Sequence, residues 1–357
     1  MTKDDRRLRI GVLGCGPIAQ LAHFDATRKA RNADLYAICD IATDLAERMA
    51  AEHRPEVVYH DYDAMLADPK VEAVIVAIAD QFHVAASIKA IEAGKHVLVE
   101  KPLGTSIEEC EVLRAKVHES GLVLQVGNNR RFDPGVEFVA RFIREEMGGV
   151  IALKAWYCDS THRYTMTDNL QPIPVLSQNA RKPEGNPKSD RQRYFILGHG
   201  SHLVDTARYL GGPMTSVRAR HLEKYGSHSW FVETTFESGA LGHLDLTIPI
   251  RGDFQEGFQV YGEHGSATGK VHLPWFHKTA DVECFSERDR VFRRPLGEDS
   301  YSYKRQIEGF AAKILDDALS IGATVDDGTA AMRAMVAIAR SVESGETVNL
   351  ADVEGGV

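Results

Sequence analysis

The sequence predicts an α/β protein in two parts, a doubly wound parallel sheet followed by an α+β part built on a large open, mainly antiparallel sheet. Three observations support this prediction. The chain has 357 residues, which is enough for two domains. Its first third alternates short β-branched runs with helical patterns, and longer alternating segments follow Gly127.

Six short apolar strands are predicted in the first part, at residues 9–13, 34–39, 57–59, 73–78, 96–99 and 122–126. Amphipathic stretches at residues 43–52, 83–93 and 106–120 predict helices between them. Gly94 and Gly121 stand where a left-handed helix cap is favoured. Six parallel strands with intervening helices are typical of a doubly wound sheet.

Longer alternating segments in the second part predict antiparallel strands at residues 150–158, 216–222, 230–237, 240–247 and 256–261. A helix at 134–146 precedes them, and helices at 301–319 and 328–344 close the chain. We assign these helices to the second domain, so that the predicted domains are residues 1–126 and 127–357. A polar stretch at 165–190 interrupts the strands, and such long insertions are uncommon unless they are functional or disordered.

Composition and charge exclude several classes of protein. The chain is 43% hydrophobic and 26% charged, which excludes a disordered protein. A net charge of -9 without a basic tail makes nucleic acid and anionic membranes poor partners. The sequence lacks a signal peptide pattern and an apolar run of about eighteen residues, so we expect a cytoplasmic protein. Its five widely spaced cysteines predict small buried side chains, not disulfides or metal ligands.

The segment after the first strand carries the clearest chemical signal. It reads GVLGCGPIAQ, in which Gly14, Gly16 and Ala19 form the G-x-G-x-x-A variant of the dinucleotide-binding pattern. Gly14 permits a tight turn, and Gly16 lets the backbone approach a pyrophosphate. A helix that begins at Pro17 directs free N–H groups at the phosphate charge. The pattern therefore predicts a Rossmann domain that binds a dinucleotide.

Asp40 follows the second strand, where an acidic side chain accepts hydrogen bonds from the adenosine ribose and repels a 2'-phosphate. This position favours NAD over NADP. The alternative is that Asp40 only caps the helix that begins near Thr43, because Asp is a preferred capping residue.

Further motifs resemble one known family. The chain combines GCGPIA near its start, a strand that ends in Glu100-Lys101-Pro102, and GNNRRFDP at residues 127–134. Together with GHGSHLVDTARYLGG and the closing DGTAAMRAMVAIARSVESG, these motifs resemble the Gfo/Idh/MocA oxidoreductases over nearly the whole chain. Members of that family act mostly on sugars and cyclitols with NAD or NADP.

The resemblance implies a catalytic role for Lys101, beside the nicotinamide and the reacting carbinol, where its cation holds or relays the hydroxyl proton. It also implies that Pro102 follows a peptide bond that is often cis. Residues near the strand ends complete the expected cofactor site, which comprises Gly14, Gly16, Pro17, Ile18, Asp40, Ile41, Ala79, Asp80, His83, Glu100, Lys101 and Asn129.

A second catalytic position falls on His202, which shares a helical face with Asp205. The family usually has an Asp four residues before this histidine, but this chain has Gly198 there. His199 is the nearest titratable replacement, and a neutral imidazole near pH 7 is a competent base. A metal site is not expected, because no acidic or thiol ligand joins the two histidines at ligand spacing.

The basic loop at residues 181–193 is either a solvated charge run or a wall of the substrate site. Its arginines, with Arg163 before it, offer bidentate hydrogen bonds to an acidic group on a sugar. Asn128, Asn129 and Arg130 line the expected cleft, or else form a turn and an ion pair. The predicted substrate residues are Arg130, Tyr157, His162, Arg163, Arg191, Arg193, His199 and His202.

Three functions fit these residues. The first is an NAD-dependent dehydrogenase of a ring hydroxyl or ketone of a sugar, sugar derivative or cyclitol. The second is a redox-neutral glycosidase that oxidises the ring transiently, eliminates a substituent, adds water and returns the hydride. A dinucleotide or sugar sensor is the third, although Lys101 and His202 argue against it. We expect a homodimer or homotetramer formed through the second sheet.

Overall fold

A computed structural model describes residues 6–160, 173–181, 189–297 and 299–357. These residues form two compact units. The first contains residues 6–129, 173–181 and 303–329, and the second contains residues 130–160, 189–297, 299–302 and 330–357. No helix within these described ranges is both long and apolar enough to cross a membrane.

The first unit is built on a seven-stranded sheet with the order β15-β6-β5-β4-β1-β2-β3. Strands β1 to β6 are parallel, and β15 pairs antiparallel with β6. The order of β1 to β6 confirms the predicted doubly wound sheet. The strands are β1 (Leu8–Leu13), β2 (Ala33–Cys39), β3 (Val57–Tyr59), β4 (Ala73–Val76), β5 (His96–Val99), β6 (Leu124–Val126) and β15 (Ala323–Thr324).

Local sequence explains the helices of this unit. Ser106 and Glu109 form a capping box at the start of one helix, and Gly121 ends it with a φ of 67°. A π-helical turn at Ala19–His23 interrupts the helix that begins at Pro17. The helices are α1 (Phe24–Lys29), α2 (Thr43–His53), α3 (Tyr62–Ala67), α4 (His83–Glu92), α5 (Ile107–Ser120) and α9 (Ser302–Asp316), although Ser302 itself belongs to the second unit.

The second unit is built on a nine-stranded sheet with the order β14-β13-β12-β11-β7-β10-β9-β8-β16. All its pairs are antiparallel except β7 and β10. The predicted large, mainly antiparallel sheet is therefore confirmed. Its strands are β7 (Val150–Ser160), β8 (Met214–Lys224), β9 (Ser227–Phe236), β10 (Leu241–Ile250), β11 (Gln255–Gly262), β12 (Gly265–Val271), β13 (Asp281–Ser286), β14 (Val291–Arg293) and β16 (Val348–Asn349).

The main helices of this unit are α6 (Pro134–Phe142), α7 (Arg191–Phe195), α8 (Ser201–Gly211) and α10 (Val325–Ser344), whose first turn belongs to the first unit. Asp133 caps α6 and accepts hydrogen bonds from the N–H groups of Gly135 and Val136. A π-helical turn at Ile196–Gly200 joins α7 to α8, so that one helical run extends from Arg191 to Gly211.

The observed division of the chain into two units differs from the single domain boundary predicted at residue 126. Most of α9 and residues 173–181 group with the first unit, whereas the sequence assigned both to the second. The reason is long-range contact, since the Gln125 side chain donates a hydrogen bond to the carbonyl of Gln306 and β15 completes the first sheet. Strands β12 to β14 were not predicted. For β12 the reason is that it consists largely of small residues, which have little β preference.

Candidate functional site

The turn after β1 has the geometry that a dinucleotide loop needs. Gly14 has a φ of 97°, and a Cβ there would lie 2.5 Å from the carbonyl oxygen of Ala77. A Cβ on Gly16 would meet no atom within 4 Å, so this glycine faces open space. Glycine is thus required at position 14 by the backbone, and at position 16 it leaves room for a ligand.

Asp40 joins two loops at the ends of β1 and β2. One carboxylate oxygen accepts a hydrogen bond from the N–H of Cys15 at 2.8 Å, and the other accepts one from the N–H of Ala42 at 2.9 Å. The N-cap of α2 is Ala42, which lacks a side-chain cap. A carboxylate has about four acceptor positions, so Asp40 retains capacity for the ribose hydroxyls that the sequence assigns to it.

A cleft of about 580 Å³ lies along these strand ends, within the size range of cofactor sites. It is lined by seven of the predicted cofactor residues, Gly14, Gly16, Pro17, Ile18, Asp40, Ile41 and Ala79. Side chains that the sequence did not assign to the cofactor site also line it, among them Tyr62, Phe82, Ala86, Ala180 and Arg181. The open space at Gly16, the acceptor at Asp40 and the apolar walls fit a dinucleotide.

The Glu100-Lys101-Pro102 segment is held by a buried ion pair. The Nε2 of His23 lies 2.9 Å from Oε1 of Glu100, and both side chains are almost fully buried. Oε2 of Glu100 accepts a hydrogen bond from the backbone N–H of Lys101. Burial alone raises the pKa of Glu100, but the His23 hydrogen bond and the nearby charges of His23 and Lys101 outweigh it, and the net pKa is lowered. A charged Glu100 therefore lies directly beside Lys101.

Three further predicted cofactor residues, His83, Asp80 and Asn129, belong to the same unit, and His83 contacts this segment. The Lys101–Pro102 peptide is cis. His83 is fully buried, and its ring nitrogens lie 2.7 Å from the carbonyl oxygen of Pro102 and 3.1 Å from that of Ile78. Asp80 begins a short 3-10 helix, and Asn129 is buried after β6. His83 thus joins the loop after β4 to the loop after β5.

In the second unit, Tyr157, His199 and His202 lie together. The ring of Tyr157 on β7 stacks parallel to His202, with centroids 5.6 Å apart, and lies at the same distance from His199. Nδ1 of His199 is 3.5 Å from the hydroxyl oxygen of Tyr157 and 3.6 Å from Oδ2 of Asp159. The structure therefore brings three predicted substrate residues to one place and adds a carboxylate.

Sequence reasoning did not assign Asp159. A signal was available, because Tyr157 and Asp159 are two residues apart on one strand and therefore point to the same face of the sheet. The histidines come from the π-helical turn and the first turn of α8, and π-helical turns are frequent at functional sites. A Cβ on Gly198 would meet no atom within 4 Å, so this position has space for a side chain.

Two arginines next to the predicted site form buried ion pairs within the second unit. Arg130, predicted to contact substrate, pairs with Glu256 through contacts of 2.7 and 3.0 Å. Arg131 pairs with Asp205 through contacts of 2.7 and 3.0 Å. Burial raises the pKa of Glu256, although the Arg130 charge opposes this shift. The substrate role of Arg130 stays a prediction beside its buried pairing with Glu256.

The basic loop is only partly described. Arg191 is exposed, donates a hydrogen bond to the carbonyl of Gly226 and lies over the ring of Phe195 at 5.3 Å. Arg193 is exposed at the start of α7. His162 and Arg163 lie outside the described residues, so their substrate role stays a prediction, as does that of Arg191 and Arg193. No group of three His, Cys, Asp or Glu side chains in the described part of the chain could hold a metal ion.

Comparison with known proteins identifies the family. Residues 8–128 match the Gfo/Idh/MocA model described as an oxidoreductase family with an NAD-binding Rossmann fold, and residues 173–268 match the Gfo/Idh/MocA C-terminal domain. An inositol 2-dehydrogenase from Acidothermus cellulolyticus is 36% identical over 96% of this chain and 95% of its own. A myo-inositol 2-dehydrogenase from Thermotoga maritima is 26% identical over 98% and 100% of the two chains.

A solved structure of levoglucosan dehydrogenase in complex with NADH has the same fold, with a TM-score of 0.78, 22% identity and coverage of 97% of this chain and 99% of that one. The glycine loop, Asp40 and the cleft along the strand ends agree with these similarities. The chain therefore belongs to the Gfo/Idh/MocA oxidoreductase family and is an NAD-dependent dehydrogenase of that type.

Proposed function

We propose that this enzyme oxidises or reduces a ring hydroxyl or ketone of a sugar, sugar derivative or cyclitol. The observation that carries the proposal is the full-length similarity to dehydrogenases named for inositol, at 36% identity for the Acidothermus cellulolyticus protein. The His199, His202 and Tyr157 cluster supports it, because hydroxyl and imidazole groups donate and accept hydrogen bonds to a polyhydroxylated ring.

NAD, when bound, accepts hydride from the carbon that carries the reacting hydroxyl. This chain supplies the proton chemistry. Lys101 orients that hydroxyl through its ammonium group, and His202 accepts the hydroxyl proton as a general base. The buried Glu100 and His23 pair fixes the backbone of Lys101, because Oε2 of Glu100 accepts the Lys101 N–H.

His199 takes the place of the aspartate that the family usually has at position 198. Its Nδ1 lies 3.6 Å from the carboxylate of Asp159, and a carboxylate beside an imidazole stabilises the protonated ring. Asp159 acts through His199 and is therefore a positioning residue. The Tyr157 hydroxyl, 3.5 Å from the same nitrogen, completes the cluster.

A substrate panel tests the proposal. Purified protein is mixed with NAD and with inositol isomers, neutral hexoses, acidic sugars or aryl glycosides, and NADH absorbance and released aglycone are followed together. We expect NADH formation with at least one cyclitol or free sugar. Aglycone release without net NADH would instead indicate the redox-neutral glycosidase, and NAD binding without turnover of any compound would contradict a sugar or cyclitol dehydrogenase.

The same enzyme is proposed to be a homo-oligomer that associates through the outer face of the second sheet. Exposed apolar side chains on four strands support this proposal, namely Ile151, Phe231, Leu241 and Tyr261. The apolar side chains that alternate through residues 240–248, from which the sequence predicts this interface, are instead buried at Ala240, Leu244, Leu246 and Ile248. Light scattering at micromolar concentration should give a dimer or tetramer, and Phe231→Lys should weaken the assembly. A monomeric wild-type protein would contradict it.

A further inference from the structure

Residues 173–181, which we call the strap, lie far along the chain from the glycine loop but belong to the same compact unit. The side chain of Gln20 holds the strap through a pair of hydrogen bonds. Its Oε1 accepts from the N–H of Val175 at 2.9 Å, and its Nε2 donates to the carbonyl of Val175 at 2.9 Å. Nε2 also donates to the carbonyl of Cys15 in the glycine loop at 2.8 Å. Gln20 thus ties the strap to the loop that follows β1.

A second anchor lies at the start of α2. The Ser177 hydroxyl lies 2.8 Å from both carboxylate oxygens of Asp44, and Nδ2 of Asn179 donates to one of them at 3.3 Å. The Ser177 hydrogen bond is the main reason that the pKa of Asp44 is lowered. Because Asp44 lies four residues after Asp40, this anchor holds the strap near the ribose-binding side chain.

The C-terminal end of the strap lines the dinucleotide cleft. Ala180 and Arg181 line it together with Asp40, Ile41, Tyr62 and Phe82. The guanidinium carbon of Arg181 lies 4.6 Å from the centre of the Phe82 ring. Lys89 also lines the cleft, but it pairs with Asp63 at 2.9 Å. Among the described residues, Arg181 forms no such ion pair.

We propose that the strap is part of the cofactor site and that Arg181 binds the adenosine half of NAD. Asp40 marks that half, because the residue after the second strand of a Rossmann fold contacts the adenosine ribose. The guanidinium of Arg181 and the ring of Phe82 are planar groups, and both stack favourably on a base. The inference rests on the assignment of NAD as the cofactor and adds a binding element outside the Rossmann motif.

Binding measurements on cofactor fragments test this inference without turnover. Calorimetry with NAD, NADP, ADP-ribose and nicotinamide mononucleotide compares wild type with Arg181→Ala. We expect Arg181→Ala to weaken NAD and ADP-ribose about five- to tenfold, as for the loss of a stacked cation, and to leave nicotinamide mononucleotide unchanged. Arg48→Ala is the matched control, because Arg48 is exposed on α2 and does not line the cleft.

Unchanged NAD and ADP-ribose affinities in Arg181→Ala would overturn the inference. A loss confined to NADP would also overturn it, because Arg181 would then serve a 2'-phosphate and not the adenosine. Wild-type protein that fails to bind NAD would refute the cofactor assignment itself, which separates the two failures. Unliganded thermal melting should be equal in all variants, since Arg181 and Arg48 are exposed.

The anchors give a second measurement. The double variant Ser177→Ala/Asn179→Ala removes the contacts to Asp44 and leaves the cleft side chains in place. We expect NAD affinity to fall about two- to threefold and NADH release, followed by its fluorescence, to accelerate by a similar factor. Wild-type release kinetics in this variant would show that the strap is not needed for binding.

Discussion

The cofactor cleft and the histidine cluster are built in opposite ways. The glycine loop of the cleft depends on backbone shape, because Gly14 and Gly16 form one turn and Asp40 accepts an N–H from that turn. The cluster depends on side chains from distant segments, since Tyr157 and His199 are 42 positions apart. A backbone site tolerates little change, whereas a side-chain cluster can be rearranged by single substitutions.

Gly198 illustrates how a side-chain cluster can be rearranged. The family usually has an aspartate there, yet a neighbouring histidine and a carboxylate from β7 lie beside the same cluster in this chain. A dinucleotide loop cannot be altered in this way, because a Cβ on Gly14 would collide with the carbonyl oxygen of Ala77. Proton-transfer groups therefore vary more readily than the cofactor loop.

The largest effect is expected on the free energy of unfolding, when the buried ion pair of Arg131 with Asp205 on α8 is broken. Asp205→Ala leaves the buried guanidinium of Arg131 without its carboxylate, which should cost about 3–5 kcal/mol in the free energy of unfolding. Urea unfolding followed by tryptophan fluorescence is a suitable measurement, because Trp156, Trp230 and Trp275 all lie in the second unit. Asp289→Ala, at a more exposed ion pair, is the control and should change little. An equal loss of unfolding free energy in Asp205→Ala and Asp289→Ala would contradict a stabilising role for the buried pair.

The next effect concerns proton transfer. Lys101→Ala and His202→Ala should each lower turnover by about a hundredfold or more, which corresponds to about 2.7 kcal/mol in the barrier. NAD affinity, measured by calorimetry, should stay near the wild-type value in His202→Ala, because His202 belongs to the second unit. An active His202→Ala enzyme would exclude it as the base and direct attention to Tyr157 and Tyr194.

A smaller effect on kcat tests whether His199 and Asp159 replace the aspartate that the family usually has at position 198. His199→Ala and Asp159→Asn should each lower kcat about ten- to a hundredfold, and Gly198→Asp should restore part of the activity of His199→Ala. The open space at Gly198 makes this second-site variant sterically acceptable. For Asp159→Asn the loss should appear in kcat while the KM for the substrate stays near the wild-type value, because Asp159 acts on proton transfer through His199. A raised KM with wild-type kcat would contradict this role.

The smallest effect belongs to the cofactor cleft. NAD should bind at least about tenfold more tightly than NADP, a difference of about 1.4 kcal/mol, because Asp40 repels a 2'-phosphate. Asp40→Ser should reduce this preference. The same variant should also weaken NAD, because Asp40 orders the glycine loop through the Cys15 N–H. Equal affinities for both cofactors in wild type would show that Asp40 serves only the loop.

Sequence patterns predicted most of the first sheet, because β-branched runs and Gly-capped helices are local signals. They also located β7 to β11, but not β12 to β14 or the two-residue strands β15 and β16. Each of the missed strands pairs with a neighbour in its sheet, and β12 in particular consists largely of small residues with little β preference. Predicting the elements was thus easier than predicting which unit α9 and residues 173–181 join.

By itself the sequence determined the dinucleotide loop, the position of Asp40, the strand that ends at Lys101 and the departure at Gly198, because each depends on residue type at a fixed local spacing. Tertiary structure alone decided that Asp159 lies beside His199, that Asp205 pairs with Arg131, and that Arg181 lines the cofactor cleft. These are contacts between segments far apart in the chain. They depend on how strands and helices pack, and local spacing carries no information about that packing.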